Sequence, residues 1–441
     1  MKNRLVALLL TILVGTLFSD AKAQQLNTAK LDSFFNAVSA NDQVMGSFII
    51  SKNGKTIYHK VIGYSQIEGD KKIPATQETQ YRIGSITKTF TAVMIFQLID
   101  EKKLSLDTKL SKFFPQMPNA DRITIANLLN HTSGLSDHVN ENRDWVTDPH
   151  TRTELLDTIA KVKPHFEPGA NQQYSNGGYL LLGYIIEKIT GKSYPDALKQ
   201  RIVNKLGLKS VISGTINNSQ KLEARPYSFN GKWVPVKDIY FPNTVAVGDI
   251  LSTPQDLVQF INALTSGKLV SEESYNKMKT FDRSGQFGMG LLKAPFYDKV
   301  LIGHNGGTYG SYSCMYTIPE EGMTVAFVTN GMNYKMNDVL LAMLKIYYNK
   351  PYEIPVQLKT DELDGLLGNY KSEEMPLKIS ITKSGSVLMA QATGQSAFPL
   401  ETVSKNEFRQ EQFDVLLKFD REKREMSLLQ GGRSYRYTIE K

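Results

Sequence analysis

Residues 82–106 read RIGSITKTFTAVMIFQLIDEKKLSL, and the middle of this stretch predicts a long helix. Residues 87–99 contain neither Gly nor Pro, and apolar side chains recur at helical spacing at Phe90, Val93, Met94 and Leu98. Nearly every position is apolar or small, so we expect this helix to be buried on most sides. A chain of 441 residues is long enough for two or three domains with a sizeable core around it.

Strand patterns lie on both sides of this helix. Residues 46–65, GSFIISKNGKTIYHKVIGYS, predict a hairpin because two β-rich runs flank Asn53-Gly54, a preferred pair for a type I′ turn. Residues 288–330 contain four more strand patterns, which are GMGLLK, KVLIGHNGG, GSYSCMYTIP and MTVAFVTN. Strands at both ends with helices between them predict one α/β domain over residues 24–350, in which early and late strands share a sheet.

The C-terminal part of the chain has a different pattern. Residues 351–360, with Pro351 and Pro355, predict a linker. Residues 361–441 contain short alternating runs separated by turn residues, among them LKISITKSGSVLMAQAT and FDVLLKFDREKREMSLLQ. These runs predict a small all-β domain, either an antiparallel sheet or a barrel.

The composition excludes several classes of protein. With 41% hydrophobic and 22% charged residues, the chain is not a disordered protein, a collagen or a polytopic membrane protein. The single cysteine, Cys314, excludes an intramolecular disulfide, Cys-rich zinc modules and iron–sulfur clusters held by this chain alone. The net charge of +8 includes no basic run longer than pairs such as Lys71-Lys72, so we predict a solvated basic surface and no nucleic-acid partner.

The N-terminal sequence MKNRLVALLLTILVGTLFSDAKAQQ predicts a signal peptide over residues 1–23. Lys2 and Arg4 form a positive segment, an apolar run follows, and residues 21–23 form an A-x-A cleavage signal. We therefore expect export to the periplasm or the medium, a mature chain beginning at Gln24, and no integral membrane segment after cleavage. The alternative is an uncleaved N-terminal anchor, for which the apolar run is short.

Ser85 and Lys88 form an S-x-x-K pair at the start of the apolar helix. On a helix this spacing places a hydroxyl and an amine on one face, one turn apart. The amine can then take the hydroxyl proton, provided that its pKa falls well below its free value. Backbone N–H groups at a helix N-terminus also favour a developing oxyanion. The alternative role for Ser85 is a plain N-cap.

The S-x-x-K pattern occurs at three other places, and none offers the same setting. One lies in the leader, one in a polar helix pattern with no evident buried face, and one repeats the letters SITK in a strand pattern, where the two side chains point to opposite faces. In that order they are Ser19/Lys22, Ser274/Lys277 and Ser380/Lys383.

Two further motifs place polar groups in loops. The sequence YSN at 174–176 lies in a Gly-flanked loop before a helix, where a tyrosine near a lysine can lose its proton more easily and an amide can bind a substrate carbonyl. The sequence HNGG at 304–307 follows the apolar strand VLIG, where glycines let a substrate approach closely and the Gly307 N–H could be an oxyanion donor. The alternatives are an ordinary loop and a strand-ending turn.

Taken in order and in broad spacing, SITK at 85–88, YSN at 174–176 and HNG at 304–306 resemble the three motifs of the penicillin-binding-protein-like serine hydrolases. The nearest relatives are class C β-lactamases, D-peptidases and esterases, and HTSGL at 131–135 supports the match. The resemblance implies a β-lactamase/transpeptidase-like α/β (α+β) fold, with an antiparallel sheet flanked by helices plus a helical subdomain. The C-terminal segment resembles the lipocalin-like β-domain often appended to such hydrolases.

The resemblance implies a role for each matching residue, in a generalised triad arrangement. The implied catalytic residues are Ser85 as acyl-accepting nucleophile, Lys88 as the group that holds and activates it, and Tyr174 as general base and acid. The implied substrate-binding residues are Asn176, His304, Asn305 and Gly306, and the implied oxyanion donors are the N–H groups of Ser85 and Gly307. Whether Lys88 or Tyr174 takes the proton stays open.

His304 departs from the K-T-G that β-lactamases and carboxypeptidases of this family usually have, because a largely neutral histidine binds a carboxylate less strongly. We therefore expect an exported serine hydrolase that acts through an acyl-enzyme on a small amide, a D-amino-acid or cell-wall-type peptide, or an ester. The alternatives are a class C-like β-lactamase or D-alanyl-D-alanine carboxypeptidase, and a penicillin- or peptidoglycan-binding sensor or scaffold without turnover. The six histidines show no metal-ligand spacing, so no metal and no other cofactor is predicted.

Overall fold

The computed structural model describes residues 26–137, 144–216, 222–230, 232–281, 286–354 and 358–440. The predicted signal peptide and part of the predicted linker lie outside these residues. Within them the α-helices are α1 (Thr28–Ala40), α2 (Thr87–Asp100), α3 (Ile125–Leu129), α4 (Asp144–Thr147), α5 (Arg152–Lys161), α6 (Asn176–Thr190), α7 (Tyr194–Leu198), α8 (Asn204–Leu206), α9 (Pro254–Thr265), α10 (Glu272–Met278) and α11 (Met336–Tyr347).

The β-strands fall into an N-terminal and a C-terminal set. The first set is β1 (Val44–Lys52), β2 (Lys55–Ile62), β3 (Tyr64–Glu68), β4 (Lys71–Pro74), β5 (Tyr81–Arg82), β6 (Ile212–Ser213), β7 (Tyr227–Phe229), β8 (Trp233–Pro235), β9 (Ile250–Ser252), β10 (Leu292–Phe296), β11 (Lys299–Thr308), β12 (Ser311–Ile318) and β13 (Met323–Met332). The second set is β14 (Gly368–Lys371), β15 (Ile379–Ser384), β16 (Val387–Ala392), β17 (Phe398–Pro399), β18 (Glu401–Ser404), β19 (Glu407–Gln410), β20 (Val415–Asp420), β21 (Glu425–Gln430) and β22 (Arg433–Ile439).

The central sheet joins early and late strands, as the sequence predicts. Its strand order is β10-β11-β12-β13-β1-β2, with antiparallel neighbours throughout. In the β1–β13 pair, Phe48 lies opposite Phe327, and both side chains enter the core beneath α1 and α11. Ile49 points the other way, into the core that contains α2, α6 and α9. The single cysteine, Cys314, is buried in this sheet on β12.

The turn between β1 and β2 has the geometry that its sequence predicts. Asn53 and Gly54 connect the two strands and have φ values of 50° and 75°. A type I′ turn requires positive φ at both central residues, which asparagine and glycine adopt at low cost. The local pair therefore sets the register beside the turn, where Lys52 faces Lys55 and Ser51 faces Thr56, and a bulge between Ser51 and Ile50 shifts the pairing farther along.

Helix α2 is enclosed on every side, which confirms the expectation from its composition. Every residue from Thr87 to Leu98 is buried. The ring of Phe90 stacks on that of Phe260 in α9, with centroids 3.7 Å apart. Since the S-x-x-K pair lies at the start of this helix, the surrounding core fixes its backbone.

The strand predicted for GMGLLK begins later than expected. Residues 288–291 bend across the domain, and β10 starts at Leu292. Gly290 has a φ of 81°, and a Cβ on it would lie 2.3 Å from the Cβ of Ala92. The close packing of this bend against α2 excludes the extended conformation that the alternating letters predict.

The helix predicted for SEESYNKMKT has a buried face, contrary to the expectation. In α10, Ser274, Tyr275 and Met278 are buried. The Ser274 hydroxyl donates a hydrogen bond of 2.6 Å to the carboxylate of Asp100, at the end of α2. This serine therefore stabilises a helix junction, and its partner in the motif, Lys277, pairs with Glu273 on the surface.

The C-terminal strands form a nearly closed β-barrel, in the order β17-β16-β15-β14-β22-β21-β20-β19-β18. Its apolar side chains form a core of their own. In this core the rings of Tyr370 and Phe408 both pack against Phe419. The barrel also contains a cavity of about 590 Å³, and its lining includes Ala390 and Leu417. The predicted all-β C-terminal domain is confirmed.

In the part of the chain that the structure covers, no helix combines the length and the apolarity needed to cross a membrane.

Candidate active site

Ser85 lies in a 3₁₀ turn, Gly84–Ile86, that leads directly into α2. Gly84 has a φ of 48°, and a Cβ on it would lie 2.7 Å from the backbone nitrogen of Gly307 on β11. A Cβ on Gly306 would lie 2.1 Å from the carbonyl oxygen of Ile83 and 2.9 Å from the backbone nitrogen of Ser85. These glycines let the strand approach the serine turn more closely than any other residue type allows.

Lys88 lies one helical turn after Ser85 and is completely buried. Its Nζ donates hydrogen bonds of 3.0 Å to Ser85 Oγ and 3.0 Å to the carbonyl oxygen of Val247. Burial lowers the pKa of Lys88 to about 7, although the nearby carboxylate of Asp137 opposes this shift. The structure therefore brings together the hydroxyl and the amine, with an amine that can be neutral near pH 7.

Tyr174 covers the same lysine from the other side. The Nζ of Lys88 lies 4.9 Å from the centroid of the Tyr174 ring, over its face. Burial raises the pKa of Tyr174, and its hydroxyl has no hydrogen-bond partner among the described residues. The sequence suggested that a nearby lysine helps this tyrosine lose its proton, but the effect of burial is larger, so the hydroxyl is neutral at pH 7.

Asn176 is the first residue of α6, which Ser175 caps by accepting a hydrogen bond from the backbone N–H of Gly178. The Asn176 Nδ2 lies 3.1 Å and 2.9 Å from the two carboxylate oxygens of Asp137. Both residues are buried. The loop motif thus places an amide beside the serine, with its nitrogen directed at a buried negative charge.

A cavity of about 540 Å³ opens over these groups. Three predicted side chains and one predicted backbone donor line it together, namely Ser85, Tyr174, Asn176 and Gly307. The remaining described lining is largely apolar or aromatic and contains no Lys or Arg; it consists of Val146, Ile239, Thr244, Val247, Gly248, Thr308, Tyr309 and Tyr312. The arrangement offers a nucleophile, a proton acceptor, a hydroxyl and an amide around one concave surface, which suits acyl transfer.

The sequence model of the Beta-lactamase family matches residues 31–348. This chain belongs to the Beta-lactamase family. The hydrolase is 26% identical to the teichoic acid D-alanine hydrolase of Staphylococcus aureus (strain MRSA252), over 76% of this chain and 80% of that protein.

Two solved structures extend the likeness. The D-amino acid amidase from Ochrobactrum anthropi SV3 matches with a TM-score of 0.64 at 28% identity, covering 74% of this chain and 99% of its own. The octameric penicillin-binding protein homologue from Pyrococcus abyssi matches with a TM-score of 0.71 at 27% identity, covering 93% of this chain and 100% of its own. The predicted β-lactamase-related fold and the predicted class, a serine hydrolase, are confirmed.

His304 of the hydrolase is buried, and Asn305, the next residue on β11, faces the opposite side of the sheet. The residues His304, Asn305 and Gly306 do not contribute to the described cavity lining, whereas Gly307 and Thr308 do. The Nδ1 of His304 lies 2.5 Å from the carbonyl oxygen of Asn305. Burial lowers the pKa of His304 to about 4, so this histidine is neutral at pH 7. As substrate contacts, residues 304–306 stay a prediction.

Two residues of the site were missed in the sequence, and both belong to the segment HTSGLSD. His131 has a φ of 61°, and its Nδ1 accepts a 3.1 Å hydrogen bond from the backbone N–H of Ser175, which holds the loop beside Ser85. Burial keeps the pKa of His131 well below its ordinary value. Asp137 binds Asn176 as described. A buried carboxylate six residues after a motif histidine was the signal available, but its partner is far away in the sequence.

Proposed function

We propose that the protein is an exported serine hydrolase that forms an acyl-enzyme on Ser85 and cleaves a small amide, a D-amino-acid or cell-wall-type peptide, or an ester. One observation carries the proposal: the buried amine of Lys88 lies 3.0 Å from Ser85 Oγ. With its pKa lowered to about 7, this amine is neutral in a substantial fraction of molecules at pH 7 and can accept a proton.

In acylation, Ser85 Oγ attacks the substrate carbonyl carbon while its proton passes to neutral Lys88 Nζ. The N–H groups of Ser85 and Gly307 receive the oxyanion. The bond to the leaving amine or alcohol then breaks, and the proton reaches the leaving group by way of the Tyr174 hydroxyl. Water hydrolyses the resulting ester, releases the acid and restores Ser85. Burial of Tyr174 favours Lys88 as the base and Tyr174 as the proton donor.

The substrate that suits the cavity has no free carboxylate at its reacting end. The described lining offers no Lys or Arg, and His304 is neutral. A D-alanyl-D-alanine carboxypeptidase or an efficient β-lactamase needs a partner for the substrate carboxylate, so these alternatives are less favoured. The similarity to a D-amino acid amidase supports an amide, and the Asn176 side chain lines the cavity that would hold the N–H group of such a substrate.

We also propose that the protein is exported and that its chain consists of a signal peptide, a hydrolase domain, a linker and a C-terminal domain. Residues 1–23 act as a signal peptide, which the positive segment, apolar run and A-x-A signal support. Residues 24–350 form the hydrolase domain, residues 351–360 link it to the barrel, and residues 361–441 complete the C-terminal domain. Sequencing of the mature N-terminus tests the first part, with Gln24 as the expected first residue.

The test of the activity uses the chain from Gln24 onward. Turnover is measured with D- and L-alanine p-nitroanilides, D- and L-phenylalanine amides and p-nitrophenyl acetate, and adducts with a penicillin are followed by intact mass. We expect hydrolysis of at least one amide or ester, with turnover and any adduct lost in Ser85→Ala. Full activity of a folded Ser85→Ala protein would overturn the proposal. A stable adduct on Ser85 without turnover of any substrate would favour the sensor or scaffold.

A further inference from the structure

Asp137 is hydrogen-bonded to the side-chain amide of Asn176, a residue that lines the cavity. Asp137 is the last residue of the segment HTSGLSD at 131–137. It is 5% exposed and is not among the described residues that line the cavity. Both of its carboxylate oxygens lie within 3.1 Å of Asn176 Nδ2. A carboxylate accepts hydrogen bonds and donates none, so it selects the NH₂ end of the amide. The Asn176 Oδ1 is then the end available to a substrate N–H group.

Asp137 also lies close enough to Lys88 to act on its charge. Its negative charge raises the pKa of Lys88, in opposition to the larger effect of burial. Among the described residues, the other titratable groups around this lysine include His131, His304, Tyr174 and Tyr179. The two histidine pKa values are lowered and the two tyrosine pKa values are raised, so all four are neutral at pH 7.

We propose that Asp137 is a positioning residue of this active site, which orients the Asn176 amide toward the substrate and supplies the negative charge that balances Lys88. The inference rests on the proposed function of Ser85 and Lys88 and extends it to a residue outside the three motifs. It separates two effects of one carboxylate. The hydrogen bond acts on substrate binding through Asn176, and the charge acts on the proton equilibrium of Lys88.

Two variants separate these effects. Asp137→Asn keeps the shape and removes the negative charge that favours the protonated amine. The protonation midpoint of Lys88 should therefore move to lower pH, by about one unit. Asp137→Glu keeps the charge and displaces the carboxylate by one methylene, so the midpoint should stay near that of the wild type. We expect kcat/KM of Asp137→Glu to fall about tenfold, mainly through KM, because the amide is no longer held in place.

The Lys88 midpoint is measured by NMR titration of isotopically labelled lysine side chains, with Lys88→Met to assign the signal. This measurement does not depend on turnover. Ser136→Ala is the matched control, because Ser136 is the adjacent buried residue and its hydroxyl has no hydrogen-bond partner among the residues that the structure describes. It should titrate and turn over like the wild type.

The outcomes are distinguishable from those for the proposed function. An unchanged Lys88 midpoint in Asp137→Asn would overturn the charge role, and an unchanged KM in Asp137→Glu would overturn the orienting role. If Asp137→Asn does not fold, the kcat and KM of Asp137→Glu still decide the orienting role. Retained activity in Ser85→Ala would instead refute the proposed function, while the NMR titration would still report on Asp137 and Lys88.

Discussion

The four letters Ser-Ile-Thr-Lys occur twice in this chain, and the two copies have different surroundings. In the first, Ser85 and Lys88 share one face at the start of α2, and the lysine is completely buried against the serine hydroxyl. In the second, Ser380 and Lys383 lie on β15, where an odd spacing sends the two side chains to opposite faces. Lys383 is partly exposed and pairs with the carboxylate of Asp364.

Since the four letters are the same in both copies, the different settings of the two lysines arise from the surrounding structure. Each copy lies in a domain with a cavity of similar volume, about 540 Å³ in the hydrolase domain and 590 Å³ in the barrel. Only the first cavity is lined by its own copy of the motif, through Ser85. Lys383 instead pairs with the carboxylate of Asp364, and no serine hydroxyl is among its hydrogen-bond partners in the described residues.

The largest expected effect comes from Ser85→Ala. Removal of the nucleophile should abolish the acyl-enzyme and lower kcat/KM by about a thousandfold or more, as loss of a nucleophile does in other serine hydrolases. Intact mass and steady-state turnover measure the two effects. An adduct on the folded variant would contradict the assignment of the first copy as the reactive one.

Lys88→Met should lower kcat/KM to a similar extent and should stabilise the fold. The pKa of Lys88 is about 7 in the folded protein against 10.5 for the free side chain, so the unfolded state binds the proton between these values and the folded state does not. Stability of the wild type therefore falls as pH decreases from about 10 to 7. We expect the variant to have the higher Tm, by a larger margin at pH 7 than at pH 10, in thermal unfolding followed by circular dichroism.

The pH dependence of kcat/KM in the wild type should reflect the protonation of Lys88. In the proposed mechanism the neutral form of Lys88 accepts the serine proton, so kcat/KM should rise with pH through about 7 and then level off. The profile is measured between pH 5 and 9 with an uncharged ester, so that the substrate does not titrate. A flat profile over this range would contradict Lys88 as the base.

Lys383→Ala should have a small effect on stability and none on activity. The ion pair with Asp364 is partly exposed, with 26% and 59% of the two side chains accessible, and such pairs contribute about 1 kcal/mol or less. Urea unfolding measures the change in the free energy of unfolding, and kcat/KM should equal that of the wild type. A large loss of activity would connect the barrel to the reaction.

Ser380→Ala should have the smallest effect of the series. Its side chain lies on a strand of the barrel and does not line either cavity described here. Turnover, adduct formation and unfolding should match those of the wild type. A folded Ser380→Ala protein without activity would reverse the assignment of the two copies.

What could be predicted from the sequence depended on residues close together in the chain. The type I′ hairpin at Asn53-Gly54, the burial of α2 and the Ser85–Lys88 pair follow from local spacing and apolarity, and all three are present. Local spacing also distinguished helix from strand for the two SITK copies.

Features that depend on distant contacts were missed or wrong. Asp137 and Asn176 are separated by 39 positions, and nothing in either segment predicts their hydrogen bonds. The buried face of α10 arises where Ser274 meets Asp100, and the late start of β10 arises where Gly290 packs against α2. In each case a tertiary contact overrides the preference of the local sequence.

The alkylation rate of the buried Cys314 thiol can measure local opening beside the central sheet. Cys314 lies on β12, between β11 and β13, and burial raises the pKa of its thiol. Its side chain lies in the core between the sheet and helices α1 and α11, and thiol reagents attack an accessible thiolate, so alkylation in native buffer requires this core to open. The alkylation rate therefore reports how often the core on this side of the sheet opens. Since the chain contains no second cysteine, the natural protein can be used for this measurement without engineering.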